Sequence, residues 1–213
     1  RRNLWRTAKN QLRISFELLC ARALNVQRNY YCFGRNFIFR VATIFRNCMI
    51  DITFPTGDPL PLKPAPVKQF RGPRLPGANL FQADRSGLSV SIHQLDFRLF
   101  SYSLRSMFSM RDREVVNCRE HQRSLRVELV MTGKLVVRDI DGTVTVLHAG
   151  QYHVTDKQSY QLSFEKGEGC QYFVTFVSQE LLNQTPLAGK IHPHKVTHSP
   201  LKMSETIERI LEN

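Results

Sequence analysis

The chain has 213 residues, 42% of them apolar, and a formal net charge of +12. That apolar share supports a buried core and excludes a wholly disordered chain, and the length suits one or two domains. The charge does not by itself mark a nucleic-acid binder, because it is concentrated. Residues 1–48 hold ten Lys and Arg against one acidic residue, a net of +9, and residues 49–213 hold twenty against seventeen, a net of +3.

Residues 1–48 form a basic segment in which nine of the ten basic residues are Arg, accompanied by six Asn and five Phe. Ile14–Leu24 has helical propensity. Phe37–Phe45 is apolar but is broken by Arg40 and followed by Arg46, so no membrane span is expected. No signal peptide is visible either. Two readings stand. One is a basic, aromatic-bearing arm that binds nucleic acid. The other is that Met49, the first methionine, begins the natural chain and residues 1–48 are translation from upstream of the gene. The second is favoured: no period runs through the segment, and composition changes abruptly at Met49.

Residues 49–79 read as a Pro-rich irregular segment. Seven of the ten prolines lie between Thr53 and Gly77. Proline fixes φ and lacks an N–H, so extended or irregular chain is expected, without central strands.

Residues 80–178 read as a barrel. Leu88–Ile92 alternates as a strand, Phe97, Leu99 and Phe100 suggest another, and Arg105–Arg119 mixes charges as a loop or uneven strand. From Val127 the period-two pattern is sustained. Val127, Leu129 and Met131 share one side, Thr132-Gly133-Lys134 interrupts, and Leu135–Val137 resumes. Asp141-Gly142 turns the chain before Val144 and Val146; Leu162 with Phe164 and then Tyr172, Val174 and Phe176 flank a turn at Glu165–Gly169. Period two means strands buried on one face, and Asp-Gly suits a tight hairpin. The expected fold is mainly β with C-terminal helices: a small antiparallel barrel or sandwich with an interior.

Residues 179–213 read as a helical region. Glu180–Leu182 starts a short helix and His192–Lys195 is a loop. Ser199 caps a last helix with Pro200 at its first position, and Met203, Ile207, Ile210 and Leu211 share one face. The pattern is still running at Asn213, which reads as a cut before a further domain.

No motif carries catalysis. Cys20, Cys32, Cys48, Cys118 and Cys170 are an odd count without Cys-x-x-Cys spacing, so reduced thiols are expected, not zinc or disulfides. Cys118 precedes Arg119, Glu120 and His121, but neighbours on a strand face opposite ways, so an activated thiol is not expected. His148 and His153 flank Ala149–Tyr152, and His192 and His194 flank Pro193; neither pair makes a convergent metal set. There is no nucleophile elbow and no glycine-rich phosphate loop. Arg111, Arg113, Arg119, Arg123 and Arg126 interleave with Asp112, Glu114, Glu120 and Glu128, as on a solvated face. The candidates for lining the barrel are Leu129, Met131, Val144, Val146, Tyr152, Leu162, Phe164, Tyr172 and Phe176. The same residues describe either an effector pocket or a filled core.

The runs Val146–Val154, with Ala149-Gly150-Gln151-Tyr152 at their centre, Leu162–Glu168, with Phe164-Glu165-Lys166-Gly167-Glu168, and Tyr172–Phe176 resemble the N-terminal cupin-like sensor domain of AraC-type (AraC/XylS family) bacterial transcription regulators. The Gln179–Leu182 helix start and the Met203–Asn213 segment fit that resemblance, which covers about residues 80–213. It implies an effector-sensing or dimerising domain without enzyme activity, whose DNA-binding helix-turn-helix part is missing from this chain. It implies a small-molecule effector and a homodimer as partners, with DNA reached only through the missing domain; no membrane contact and no cofactor are expected, and the reduced thiols suit a cytoplasmic location. Two rivals stay open: a stand-alone cupin-type enzyme acting on a small sugar or acid, and a nucleic-acid-binding protein working through residues 1–48.

Overall fold

The computed structural model describes residues 48–66, 72–97, 99–122, 124–183 and 196–199, together with Glu205, Ile207 and Leu211. The readings for residues 1–47, for His192 and His194, and for the Pro200 cap fall outside the described residues.

Antiparallel strands dominate. They are β1 (Ile50–Thr53), β2 (Lys63–Ala65), β3 (Asn79–Arg85), β4 (Leu88–Asp96), β5 (Phe100–Ser109) and β6 (Glu114–Glu120). Then come β7 (Leu125–Asp139), β8 (Val144–His148), β9 (Gln151–Thr155), β10 (Ser159–Phe164) and β11 (Gly169–Val177). One short helix, α1 (Gln179–Asn183), and a last strand, β12 (Val196–His198), follow. They curl into a half-barrel. A front sheet runs β1-β6-β10-β7-β8, and a back sheet runs β2-β3-β4-β5-β11-β7 with β9 and β12 beyond.

β7 belongs to both sheets. Its first half pairs with β11 and β9, and its second half with β10 and β8. The expected interruption at Thr132–Lys134 is a bulge inside one continuous strand. Register shifts opposite it, between Gln171 and Tyr172. Gly133 has φ +78, and a Cβ there would lie 2.1 Å from the Gly169 carbonyl oxygen. Only glycine fits that approach. The bulge also flips parity: Glu128 and Val130 are the buried inward positions before it, Leu135 and Val137 after it.

Three other expectations change. The Pro-rich stretch supplies β1 and β2; among the described residues β2 is an edge strand paired only with β3, where Pro64 is tolerated. Arg105–Arg119 is two strands around a turn at Met110–Arg113. Its pattern looks uneven because Arg105 and Glu120 occupy inward positions. The region after residue 178 is not helical throughout, because β12 joins the back sheet. Helical backbone is described there at α1 and at Glu205, Ile207 and Leu211. Ser178 starts α1, its Oγ accepting from the Leu181 amide at 3.2 Å.

Because the back sheet is buried on both sides, there are two cores. The inner one fills the barrel with Ile92, Met107, Val116, Val130, Leu162, Phe164, Tyr172 and Phe176 among others. The outer one covers the opposite face with Tyr102, Leu104, Val127, Leu129, Val154, Phe173 and Ile207.

Candidate functional site

The inner core is not wholly apolar. Strand alternation turns Ser103 and Arg105 of β5, Glu120 of β6, Arg126 and Glu128 of β7, His153 of β9, and Tyr160 of β10 toward one another. All are buried: Arg105, Glu120, Arg126, Glu128 and His153 each expose 3% or less.

Arg105 meets Glu120 with both ends of its fork, Nη1 to Oε1 at 2.6 Å and Nη2 to Oε2 at 2.9 Å. Its Nε donates to Ser103 Oγ at 3.1 Å. The Tyr160 hydroxyl donates to Glu120 Oε1 at 2.6 Å and accepts from Arg105 Nη1 at 3.1 Å. Arg126 lies 3.4 Å from the same Glu120 oxygen and stacks 4.2 Å over the Tyr160 ring. Its Nη1 donates to the Lys157 carbonyl at 3.1 Å. Its Nε is 2.8 Å from Glu128 Oε1, an ionic contact in which the N–H is not aimed at the oxygen. The other Glu128 oxygen lies 3.4 Å from His153 Nδ1.

Taking four full charges out of water is costly, and only close pairing offsets it. The directions of titration reflect that contest. Burial pushes the Glu120 carboxyl up, but Arg105, Arg126 and Tyr160 outweigh it and hold it below the carboxylate range. Burial also raises Glu128, but Arg126 and His153 bring it down to about 2. Burial lowers both guanidinium groups, and their glutamates more than restore them, so both stay charged. Burial, followed by the field of Glu120, pushes the Tyr160 hydroxyl up, so it remains a donor. The Tyr172 hydroxyl, also raised by burial, has no protein hydrogen-bond partner among the described residues.

The cluster balances two positive against two negative groups around a shared tyrosine. Burial pushes the Cys118 thiol well above its ordinary range, and Cys170 to about 12, so both stay protonated. Cys48, Cys118 and Cys170 are free thiols. His148 is exposed while His153 is buried against Glu128, so the two imidazoles do not converge. Among the described residues no group of three or more His, Cys, Asp and Glu could hold a metal ion.

Of the residues expected to line the interior, Leu162, Phe164, Tyr172 and Phe176 do so. Leu129 sits on the opposite face of the back sheet, with Met131 and Tyr152 packed beside it. Val144 and Val146 are 47% and 41% exposed on the outside of β8, whose inward residue is Leu147. Parity explains the failure: Val127-Leu129-Met131 is a genuine apolar face, but the sheet has two such faces. The expected basic cluster separates as well. Arg126 points inward, Arg111, Arg113 and Arg119 are exposed, and Arg123 lies outside the described residues. The ionic cluster carries no local sequence signal, because its members come from five strands.

The outer face of the back sheet is tied to the chain's end. β12 pairs with β9, placing Val196 opposite His153 and Thr197 opposite Tyr152. Val196 packs against the inner core, while Ile207, 2% exposed, is buried in the outer one.

No family model matches the chain, and no curated protein matches it by sequence. Among solved structures, the AraC-like transcriptional activator CuxR is similar at 15% identity and a TM-score of 0.46, over 78% of this chain and 54% of that one. EutQ from Clostridium difficile is similar at 12% identity and a TM-score of 0.36, over 46% of this chain and 75% of that one. The cupin domain of Cnp3 from Schizosaccharomyces pombe is similar at 16% identity and a TM-score of 0.35, over 54% and 73%. Enzymes occur as well: Bacillus subtilis oxalate decarboxylase is similar at 10% identity and a TM-score of 0.34, over 52% and 30%. No helix among the described residues is long and apolar enough to cross a membrane.

Proposed function

We propose that this chain is the cupin-like regulatory barrel of an AraC-type transcription regulator, acting by effector sensing or dimerisation and not by catalysis. The observation that carries this reading is the pairing of β12 with β9. β9 bears His153 of the ionic cluster on its inner side and Tyr152 on its outer side. A change inside the barrel therefore reaches the segment leading to Ile207 through one hydrogen-bonded ladder. An effector that prefers one arrangement of that ladder shifts how the terminal segment packs. DNA reading is assigned to another domain of the regulator, and the working partner is a second copy of the chain.

The test fuses the full chain ahead of a monomeric DNA-binding module and measures occupancy of a palindromic operator in cells. The reading expects occupancy well above that of the module alone, reduced by Ile207→Asp. Occupancy equal to the module alone, with the fusion folded and expressed, overturns it.

A further inference from the structure

The front sheet carries a second feature on its outer face, which meets the ionic cluster at Tyr160. A groove of about 660 Å³ lies on its outer face, over β1, β6, β10 and the end of β7. That volume is within the usual range for small-molecule sites. Strand registers lay out its floor. Thr53, Asn117, Gln161 and Arg138 form one cross-strand row. Asp51, Arg119 and Ser159 form the next.

The side chains of this floor are unusual for a solvated face. Asn117 and Gln161 are joined amide to amide at 2.9 Å, leaving the Asn117 amide nitrogen only a long contact to the Phe54 carbonyl at 3.5 Å. Amides held this way present fixed donors and acceptors. Two carboxylates also line the groove: Asp51, engaged by His121 at 2.7 Å, and the buried Asp139. Arg119 and Arg138 are exposed, and among the described residues neither has an ion-pair partner. They stand two strands apart, roughly 10 Å across the sheet, with Ser159 and Gln161 between them. Side chains of arginine length rising from both sides reach a common point above that strand. Ile140, 79% exposed, offers an apolar edge at the rim.

From this arrangement we infer that the groove is a binding site for a small hydroxylated anion, of the sugar-phosphate or sugar-acid class. Two free guanidinium groups supply forked donors to a phosphate or carboxylate. The amide row and Ser159 supply the mixed donors and acceptors that hydroxyl groups require. An inorganic anion uses only the first set and an uncharged sugar only the second, so the preferred ligand carries both.

Calorimetry on the full chain at physiological salt tests this with four probes: glucose 6-phosphate, glucuronate, glucose and inorganic phosphate. The site predicts that glucose 6-phosphate or glucuronate binds about tenfold tighter than glucose or phosphate, the better of the two telling phosphate from carboxylate. Arg119→Gln and Arg138→Gln should each weaken that binding about tenfold, the size of a lost charge-assisted contact. Gln161→Ala should erase the advantage over inorganic phosphate. In the unsubstituted chain, the bound probe should shift backbone amide resonances of β6 and β10 and leave those of β9 unmoved, a readout independent of how the variants fold. The inference fails if neither sugar anion binds, if phosphate binds as tightly as they do, if the arginine variants bind normally, or if the shifts fall elsewhere.

Discussion

Glu128 and Leu129, neighbours on β7, face opposite sides of one strand and belong to two different cores. The Glu128 carboxylate lies 2.8 Å from Arg126 inside the barrel. Leu129, 4% exposed, packs in the outer core that also buries Ile207. One peptide unit thus joins the ionic cluster to the surface on which the end of the chain rests.

The cluster is costly to break and cheap to replace. Glu120→Gln leaves Arg105 buried without its counter-charge and should destabilise the fold by about 3–5 kcal/mol. Tyr160→Phe removes one hydroxyl and should cost about 1–2 kcal/mol. The double variant Arg105→Met with Glu120→Leu should recover most of the stability lost in Glu120→Gln. Urea unfolding of all three reads this out, and a double variant no more stable than Glu120→Gln would contradict it.

Gly133 is fixed by contact as well as by backbone angle. Gly133→Ala combines φ +78 with a Cβ 2.1 Å from the Gly169 oxygen, so it should cost at least about 2 kcal/mol. Gly142→Ala has a similar φ, +86, but open space around the new methyl, and should cost about 1 kcal/mol. Thermal unfolding of the pair separates strain from collision; equal losses would remove the collision.

Acid should act in two windows. Burial, followed by the field of Arg74, lowers His93 to about 4 from its ordinary value of 6.5. The unfolded chain then binds the proton that the folded chain refuses, so stability falls as pH drops from 6.5 to about 4, by up to about 3 kcal/mol. Glu128 has the depressed pKa of a paired carboxylate, about 2 against 4.5. Its contribution is complete above pH 4.5 and disappears as pH falls toward 2. His93→Phe should therefore flatten stability between pH 6.5 and 4 and leave the steeper loss below 4.5. A variant with the original slope in the upper window would contradict the assignment.

The outer core should depend on Ile207. Ile207→Asp places a charge against Leu104, Leu129 and Phe173 in an apolar cluster and should release the end of the chain while the barrel persists. Limited proteolysis should then cut beyond residue 199 without loss of near-ultraviolet tyrosine signal. Simultaneous loss of both would mean that the two cores form one unit.

The β architecture was legible because alternation is local. Leu162 with Phe164, and Tyr172 with Val174 and Phe176, read correctly as inward faces. Asp141-Gly142 read correctly as a turn, closed by the Asp139 amide donating to the Thr143 carbonyl at 2.9 Å. Alternation tells which residues share a face and not which side of a two-faced sheet they occupy, so it does not separate Leu129, Met131 and Tyr152, on the outer face, from the inner core. Val144 and Val146 alternate as expected but face outward, because Leu147 takes the inward position of β8. The ionic cluster was invisible for a different reason. Arg105 and Glu120 lie fifteen positions apart, and Glu128 and His153 twenty-five. Such charges look like solvated surface until strand register brings them together.

Amide hydrogen exchange in Glu128→Gln tests the link between barrel interior and chain end most directly. The substitution keeps the side chain's shape and removes its charge on β7, opposite His153 of β9 and one strand away from β12. Protection should fall at Val196–His198 and Ile207 by more than at Lys63–Ala65 or Asn79–Arg85, which lie at the far edge of the back sheet. Protection at Val196–His198 that stays unchanged, or a uniform loss along the whole chain, would contradict the account.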